Sequence, residues 1–360
     1  MKLTISQEDL NEAVSFVFSA RDSKTSDPYL SSIMVNVKKG KAKLTATDLS
    51  IQKTAVVKCQ SEQEFAFCFP AKKLSDFVKT EYKDKTITIS IKDNKATLSG
   101  RKKWVVGVLP ADMYPEFAIF NNSEIAIIDA ASLSNAIKKC SPSMGKQDSR
   151  RYLNSMFFEK KENTLNLVAT DGHRLSSFRI TTSGESFNKS MIVPRDSVME
   201  ISKILAADGD VSLSFADNGL FISVGNMAIK SKLIEGKYPD YRRVIPANNP
   251  FKVNLNTTET KQAVDGALLV ASEKYKGIKL EFSEGALSVT AEGPDGDKSF
   301  EKIPCAMSGE SIEIGFNGSY VSEAISAIDG EDMTIELGGG MDSAKIVEGD
   351  LTLVLMPMRI

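Results

Sequence analysis

Residues 43–48 read KLTATD, and nearly the same string returns as NLVATD at residues 166–171 and, more loosely, as SVTAEG at residues 288–293. The alanines at the centre of these strings, Ala46, Ala169 and Ala291, are separated by 123 and 122 residues. A fixed period of this size indicates that the 360-residue chain consists of three copies of one structural unit.

Each copy begins with the signals of a helix. The strings ISQEDLNEAV, IDAASLSNAI and LNTTETKQAV place a polar side chain second, at Ser6, Asp129 and Asn256. Such side chains accept hydrogen bonds from the free amides of a first helical turn. A second helical string follows later in each copy, as FPAKKLSDFV, VPRDSVMEIS and FNGSYVSEAI. We therefore predict two helices per copy.

The remaining segments alternate apolar and polar residues with a period of two. The clearest are TITISIKDNKATLSG (86–100), VSLSFADNGLFISVG (211–225) and MTIELGGGMDSAKIVEG (333–349), which contain Asp-Asn or glycine-rich turns typical of hairpins. Roughly eight short strands per copy predict an α+β class, with two helices packed on antiparallel sheets. The predicted domains are residues 1–122, 123–248 and 249–360.

Composition argues against several classes of protein. The four cysteines are scattered, which argues against a disulfide framework and favours the reducing cytoplasm. One histidine, His173, cannot supply a zinc site that needs several imidazoles. The patterns of a serine nucleophile (GxSxG) and of a phosphate loop (GxxxxGK[ST]) are missing from the sequence. An acidic start and the lack of a long apolar run predict neither a secretion signal nor a membrane anchor.

Charge is unevenly distributed along the chain although the formal net charge is only −2. The first predicted domain carries +5, the second +3 and the third −10. Three sheet-bearing units in a row leave an unpaired sheet edge at each end, and such edges invite pairing with another chain. A basic first end and an acidic last end suit a head-to-tail contact, which forms a ring if it closes.

Eight segments together resemble one family, the bacterial DNA polymerase III β subunits, or sliding clamps. They are LTATDLSI, FPAKKL, RRYLNSMFFE, LVATDGHRLS, MIVPR, SKLIEGKYPDYRRVIP, IEIGFNGSYV and VLMPMRI. The resemblance covers the whole chain. It implies a head-to-tail homodimer whose six domains form a ring around double-stranded DNA, acting without catalysis or cofactor as a processivity factor in the cytoplasm. It also implies the DNA polymerase III alpha subunit, a clamp-loader complex, and other polymerases and repair proteins as partners, and no membrane.

The resemblance implies a groove that receives short peptide motifs from these partners. The implied groove residues are Leu153, Thr170, Gly172, His173, Arg174, Leu175, Pro239, Arg243, Val244, Asn317, Tyr320, Val354, Met356, Pro357, Met358 and Arg359. Methionines suit such a groove because their flexible side chains adapt to varied apolar partners.

A sliding ring needs weak, sequence-independent contacts to phosphates. The candidate DNA-facing residues are Lys24, Lys72, Lys73, Lys79, Lys138, Lys139, Lys146, Gln147, Arg150, Arg151, Tyr152 and Arg195. By resemblance, the contact between subunits involves Lys73, Arg101, Lys103, Val106, Val108, Leu269, Val270 and Glu301.

Three positions depart from the family pattern: Tyr29 replaces a smaller aliphatic residue, Arg151 an aromatic one, and Asp196 a basic one. These changes leave a specialised second clamp or a mobile-element clamp open beside the main replicative one. A decoy that retains the ring without stimulating a polymerase, and a metal-dependent hydrolase built on Asp171 and His173, are alternatives from other classes. The repeat weighs against the hydrolase, because Thr-Asp also occurs at the same strand end in the first copy, where Asp turns the chain.

Overall fold

A computed structural model describes residues 1–83, 85–117, 123–205, 209–307 and 310–360. Six α-helices and 26 strands lie in these ranges. The chain divides into two compact units: residues 1–131, 183–185 and 199–233 form the first, and residues 132–182, 186–198 and 234–360 form the second. The middle copy of the repeat is therefore shared between the two units.

The first copy contains nine strands and two helices among its described residues. They are β1 (Lys2–Ser6), α1 (Gln7–Phe18), β2 (Ser32–Lys38), β3 (Lys41–Thr47), β4 (Ile51–Lys58), β5 (Phe65–Pro70), α2 (Ala71–Lys79), β6 (Thr86–Lys92), β7 (Lys95–Ser99), β8 (Lys103–Gly107) and β9 (Leu109–Pro110).

The second copy follows the same order and adds three short 3₁₀ turns, at Ser141–Ser143, Arg151–Leu153 and Tyr241–Val244. Its elements are β10 (Glu124–Asp129), α3 (Ala130–Cys140), β11 (Ser155–Glu162), β12 (Thr164–Thr170), β13 (Arg174–Thr181), β14 (Ser183–Gly184), β15 (Phe187–Pro194), α4 (Arg195–Ile204), β16 (Asp210–Phe215), β17 (Gly219–Val224) and β18 (Met227–Lys232).

The third copy has eight strands in the part that the structure describes. Its elements are β19 (Phe251–Asn256), α5 (Thr257–Leu268), β20 (Gly277–Ser283), β21 (Ala286–Glu292), β22 (Lys298–Pro304), β23 (Ile312–Asn317), α6 (Gly318–Ile325), β24 (Asp332–Leu337), β25 (Ala344–Glu348) and β26 (Leu351–Leu355). The prediction of an α+β protein with three tandem copies of two helices on antiparallel sheets is confirmed.

The predicted helix starts correspond to observed caps. The Ser6 hydroxyl accepts a hydrogen bond from the Asp9 amide, and the Asn256 side chain accepts one from Glu259, both at 3.0 Å. Helix α3 begins at Ala130, directly after the third predicted cap. These side chains satisfy amides that a helix leaves without partners at its start.

Two sheets run continuously from one copy of the repeat into the next. In the first unit β18 pairs with β4, within the ten-stranded order β14-β10-β16-β17-β18-β4-β3-β2-β5-β9. In the second unit β13 pairs with β26, within the eight-stranded order β15-β11-β12-β13-β26-β25-β24-β19. We call the β4–β18 pair the first seam and the β13–β26 pair the second seam. Strands β8 and β22 each lie at the edge of a four-stranded sheet.

Each unit buries its own apolar core under the helices. Leu74, Phe77 and Val78 of α2 are fully buried in the first unit, as their helical spacing predicts. Val106 and Val108 belong to the same core, at 7% and 5% exposure. Both were predicted to lie in the contact between subunits; their side chains point into this core, and their part in that contact stays a prediction.

Candidate functional site

The Thr-Asp strings of the first two copies form the same turn. In the second copy the Thr170 hydroxyl donates to the Arg174 carbonyl at 2.6 Å, and Asp171 Oδ1 accepts from the amides of His173 and Arg174 at 2.9 and 3.1 Å. Thr47 and Asp48 make the matching bonds in the first copy. The interpretation of Thr-Asp as a turn at the strand end is confirmed.

The two turns differ at their third residue. Gly172 has φ +89° and Leu49 has φ +71°, both in the left-handed region that glycine adopts at little cost. An added Cβ at Gly172 would lie 3.4 Å from the Arg150 guanidinium. A glycine here lets the Arg150 side chain approach the turn closely.

Arg174 is held on several sides. Its guanidinium bonds to Asp171 at 3.1 Å, to the Pro142 carbonyl at 2.6 Å and to the Glu323 carboxylate, and it lies 4.2 Å from the centre of the Tyr320 ring. Only 10% of its side chain is exposed. This arginine therefore organises the wall of the site through contacts within the chain.

His173 is exposed and has no metal-site geometry. Its ring stacks on Tyr320 at 6.5 Å between centroids, and its carbonyl accepts from the Met356 amide at 2.9 Å. Among the described residues, no three His, Cys, Asp or Glu side chains come together as a metal site. The contacts of His173 link the 171–174 turn to the chain terminus.

A groove with a cavity volume of about 170 Å³ opens beside this turn in the second unit. Nine of the predicted groove residues line it: Leu153, Thr170, Gly172, Arg174, Leu175, Pro239, Val244, Val354 and Met356. Five further residues line it that the sequence did not indicate for the groove: Arg150, Tyr152, Tyr238, Asp240 and Tyr241. Tyr238, Asp240 and Tyr241 belong to the quoted YPDYRRV segment. The two tyrosines of that segment were the sequence feature that could have indicated these lining residues.

The floor of the groove is apolar and rigidly packed. Leu153, Leu175 and Val354 are 2–3% exposed, so they serve as floor and core together. The Tyr238 ring stacks on Phe157 at 4.6 Å between centroids, and burial raises the pKa of Tyr238 far above its ordinary value. A preformed apolar depression with few polar groups is typical of sites that bind small ligands or peptide side chains.

Charged groups stand around the rim. Asp148 receives two hydrogen bonds from the Arg150 guanidinium, at 3.0 and 2.9 Å. These bonds, together with one from the Arg150 amide, lower the pKa of Asp148 to about 2. On the other side the Tyr241 hydroxyl donates to Glu159 at 3.0 Å, and burial next to that carboxylate raises the pKa of Tyr241 to about 12.

Seven predicted groove residues do not line this cavity. The Asn317 side chain caps α6 by accepting from the Ser319 amide at 3.0 Å, and Tyr320 lines a neighbouring cavity with Arg174. Arg243 is 84% exposed and pairs with Asp240 at 3.4 Å. The others are His173, Pro357, Met358 and Arg359. The Met358 amide donates to the Gly315 carbonyl at 2.9 Å, which carries the terminal segment away along β23.

One predicted DNA-facing lysine is wrong. Lys139 is 7% exposed, and its ammonium pairs with Asp329 at 2.6 Å and with Glu348 at 3.3 Å. A buried ammonium paired with two carboxylates belongs to a group of net negative charge, which does not attract phosphates. Arg150 and Tyr152 lie at the groove, and Arg195 donates to the Met144 carbonyl at 3.0 Å. Exposed side chains are Lys24, Lys72, Lys73, Lys79, Lys138, Lys146, Gln147 and Arg151.

The edge strands β8 and β22 carry exposed apolar side chains that the sequence did not single out. Val105 on β8 is 62% exposed and Phe300 on β22 is 68% exposed. Leu269, a predicted contact residue, is 89% exposed. Lys73, Arg101, Lys103 and Glu301 are exposed, and Val270 is half-buried. Exposed apolar side chains on unpaired edges are typical of interaction surfaces.

The fold is a threefold repeat of helices on antiparallel sheets, with strands β8 and β22 at sheet edges and an apolar groove in the second unit. Three family models match in order: the N-terminal domain of the DNA polymerase III beta subunit at residues 1–118, its central domain at 127–240 and its C-terminal domain at 242–359. No helix among the described residues is long and apolar enough to cross a membrane.

Similar proteins agree along their full lengths. The beta sliding clamps of Escherichia coli K12 and Haemophilus influenzae are 31% and 30% identical, with both chains covered completely in each comparison. A crystal structure of the DNA polymerase III subunit beta from Pseudomonas aeruginosa is 30% identical, with complete coverage of both chains and a TM-score of 0.96. The chain belongs to the DNA polymerase III beta-subunit family of sliding clamps.

Proposed function

We propose that this protein is a DNA polymerase processivity factor: a homodimeric ring that encircles double-stranded DNA and tethers replication proteins to it. The main support for the proposal is that only two of three equivalent strand pairs form within the chain. Two of them are closed within the chain, as the first and second seams, whereas β8 and β22 remain free edges. A second copy of the chain can supply the missing pair, because β8 of each copy can pair with β22 of the other. Two such head-to-tail contacts close a ring of two chains.

The ring holds DNA by enclosure rather than by affinity, so it needs no base-specific contact. Sequence-independent contacts come from exposed basic side chains, among which Lys72, Lys73 and Lys79 share helix α2. The protein needs no cofactor and performs no catalysis in this role. It acts in the cytoplasm, where its four free cysteines stay reduced.

The groove receives short apolar peptide motifs from partner proteins. Its buried floor and half-exposed Val244 and Met356 offer an apolar surface, while the rim pairs around Arg150 and Asp240 surround it with charge. Two related clamps support this use: one from Pseudomonas aeruginosa was crystallised with griselimycin, and one from Caulobacter crescentus with polyethylene glycol in a putative motif-tethering region. The proposed partners are the DNA polymerase III alpha subunit, the clamp loader, and other polymerases and repair proteins.

Primer extension tests the function directly. With its cognate polymerase and clamp loader on primed circular DNA, the protein should lengthen the products made in a single binding event. A variant with Val244→Asp should still form dimers and fail to lengthen products, because a carboxylate desolvated in the groove opposes peptide binding. Unchanged product length with the wild-type protein, despite dimerisation, would favour a decoy ring over a processivity factor.

A further inference from the structure

The terminal segment, residues 356–360, is attached to the second unit by two backbone hydrogen bonds. The Met356 amide donates to the His173 carbonyl at 2.9 Å, beside the end of the second seam, and the Met358 amide donates to the Gly315 carbonyl at 2.9 Å. Strand β23, which contains Gly315, lies at the edge of the sheet β22-β21-β20-β23. The segment therefore leaves the wall of the groove and ends on a strand of another sheet.

Gly315 lies in the interior of β23, where glycine is an unfavourable residue. Glycine loses more conformational freedom on folding than other residues and has no side chain to pack, so it weakens a strand. The φ of Gly315 is outside the left-handed region, so an alanine could adopt the same backbone conformation. The reason for a glycine at this position is therefore to be found in the space beside it.

The terminal segment fills the space that a side chain at position 315 would need. An ideal Cβ on Gly315 would lie 2.5 Å from the Met358 carbonyl oxygen and 2.6 Å from Ile360 Cγ1. Both distances are well below van der Waals contact. The carbonyl oxygen belongs to the backbone, so it cannot turn aside as the end of a side chain can. A side chain at position 315 would displace the segment from β23.

Gly277, on the neighbouring strand β20, also faces the segment but leaves more room. An ideal Cβ there would lie 3.6 Å from Ile360 Cγ1 and 3.8 Å from Met358 Cε. These are ordinary contact distances, and both atoms belong to side chains. An alanine at position 277 therefore fits beside the segment, whereas one at position 315 does not.

Only one residue separates the contact on β23 from the groove. Pro357 lies between Met358 and Met356, and because the proline ring fixes φ, the chain has little freedom to absorb a shift there. Met356 lines the groove and is 39% exposed. A displacement of Met358 from β23 therefore moves or loosens the Met356 side chain at the groove.

We propose, on the basis of the peptide groove put forward above, that Gly315 is a positioning residue for partner binding. Its missing side chain lets the terminal segment pack on β23, and this contact holds Met356 at the groove. A side chain that is already held in place does not have to be ordered when the partner binds, which strengthens binding. Gly315 does not itself line the groove, so it acts through the segment.

Two alanine substitutions at neighbouring glycines test this role. Gly315→Ala should weaken binding of a fluorescent peptide that carries the groove-binding motif of the DNA polymerase III alpha subunit. The expected loss is about three- to tenfold, the range for one side chain that must be ordered on binding. The unfolding midpoint should not fall, because alanine is the better strand residue and Ile360 is already 68% exposed. Gly277→Ala is the matched control and should bind the peptide like the wild type.

A truncation shows whether the effect passes through the segment. Removing residues 357–360 keeps Met356 but removes its anchor, so it should weaken peptide binding about as much as Gly315→Ala does. The two changes combined should bind no more weakly than either change alone, because both remove the same contact.

The possible failures are separable in the same titrations. Undiminished affinity in Gly315→Ala, an equal loss in Gly277→Ala, or losses that add in the combined variant would each overturn the role of Gly315 while the groove proposal stands. A wild-type protein that does not bind the peptide would overturn the groove and the positioning role together.

Discussion

Lys53 and Glu200 form an ion pair in the first unit, next to the first seam, with the Lys53 side chain only 1% exposed. Ser19 donates to the same carboxylate at 2.9 Å, and the ammonium lies 4.7 Å from the centre of the Phe16 ring. The pair connects β4 of the first copy with α4 of the second. The pair therefore stabilises a contact between two copies of the repeat within one chain.

This pair predicts acid sensitivity. Burial alone would raise the pKa of Glu200, but hydrogen bonds from Lys203 and Lys53 outweigh it and lower the pKa below its usual value near 4.5. A lowered folded-state pKa means that the stabilisation is complete above the unfolded-state pKa and is lost as the pH falls through the folded-state pKa. The free energy of unfolding should therefore drop below about pH 4.5.

Glu200→Gln should remove that part of the pH dependence. It should also lower the free energy of unfolding at pH 7 by about 3 kcal/mol, because it leaves the enclosed ammonium without its counter-charge. Urea unfolding at several pH values measures both effects. An unchanged slope between pH 5 and pH 3 would contradict this role for Glu200.

The chain terminus should be required for peptide binding. Deleting residues 356–360 removes Met356 from the groove and frees the His173 carbonyl from its bond to the Met356 amide. We expect a fluorescent clamp-binding peptide to lose at least about tenfold in affinity, corresponding to about 1.4 kcal/mol. The dimer should persist in sedimentation, and undiminished peptide affinity would show that the groove is misassigned.

Lys138 and Lys139 are adjacent in sequence but should behave oppositely. Lys138→Ala removes an exposed charge and should weaken salt-dependent DNA retention with little change in stability. Lys139→Ala leaves Asp329 and Glu348 facing each other and should lower the free energy of unfolding by about 1–3 kcal/mol, with DNA retention preserved in the folded fraction. Reversed outcomes would show that Lys139 reaches DNA.

Leu269→Ala combined with Val270→Ala should yield folded monomers. Leu269 is 89% exposed, so its loss leaves the core of the second unit intact, whereas a contact with another copy would lose apolar area. The prediction is a lower sedimentation coefficient with an unchanged unfolding midpoint of the monomer. A full-size dimer would place the contact elsewhere.

The sequence predicted the repeat and the helix starts because these depend on local patterns. Ser6 and Asn256 cap helices wherever the chain places them, and the Thr-Asp turn forms from hydrogen bonds within four residues. Because the repeat has a period of about 123 residues, each local feature found in one copy could be located in the other two.

The sequence could not show which face a side chain takes or which distant partner it meets. A shift of one residue along β8 exchanges exposed Val105 for buried Val106. Lys139 looks like any exposed helical lysine until Asp329 and Glu348, about 200 residues away in sequence, enclose it. No local pattern reveals that pairing.

The central claim, a closed ring around DNA, is tested most directly by retention on nicked circular DNA before and after linearisation. With the clamp loader and ATP, the labelled protein should co-elute with the circle and be lost after a single double-strand cut, because a ring that encloses DNA slides off free ends. Retention that survives linearisation would contradict enclosure and indicate ordinary binding.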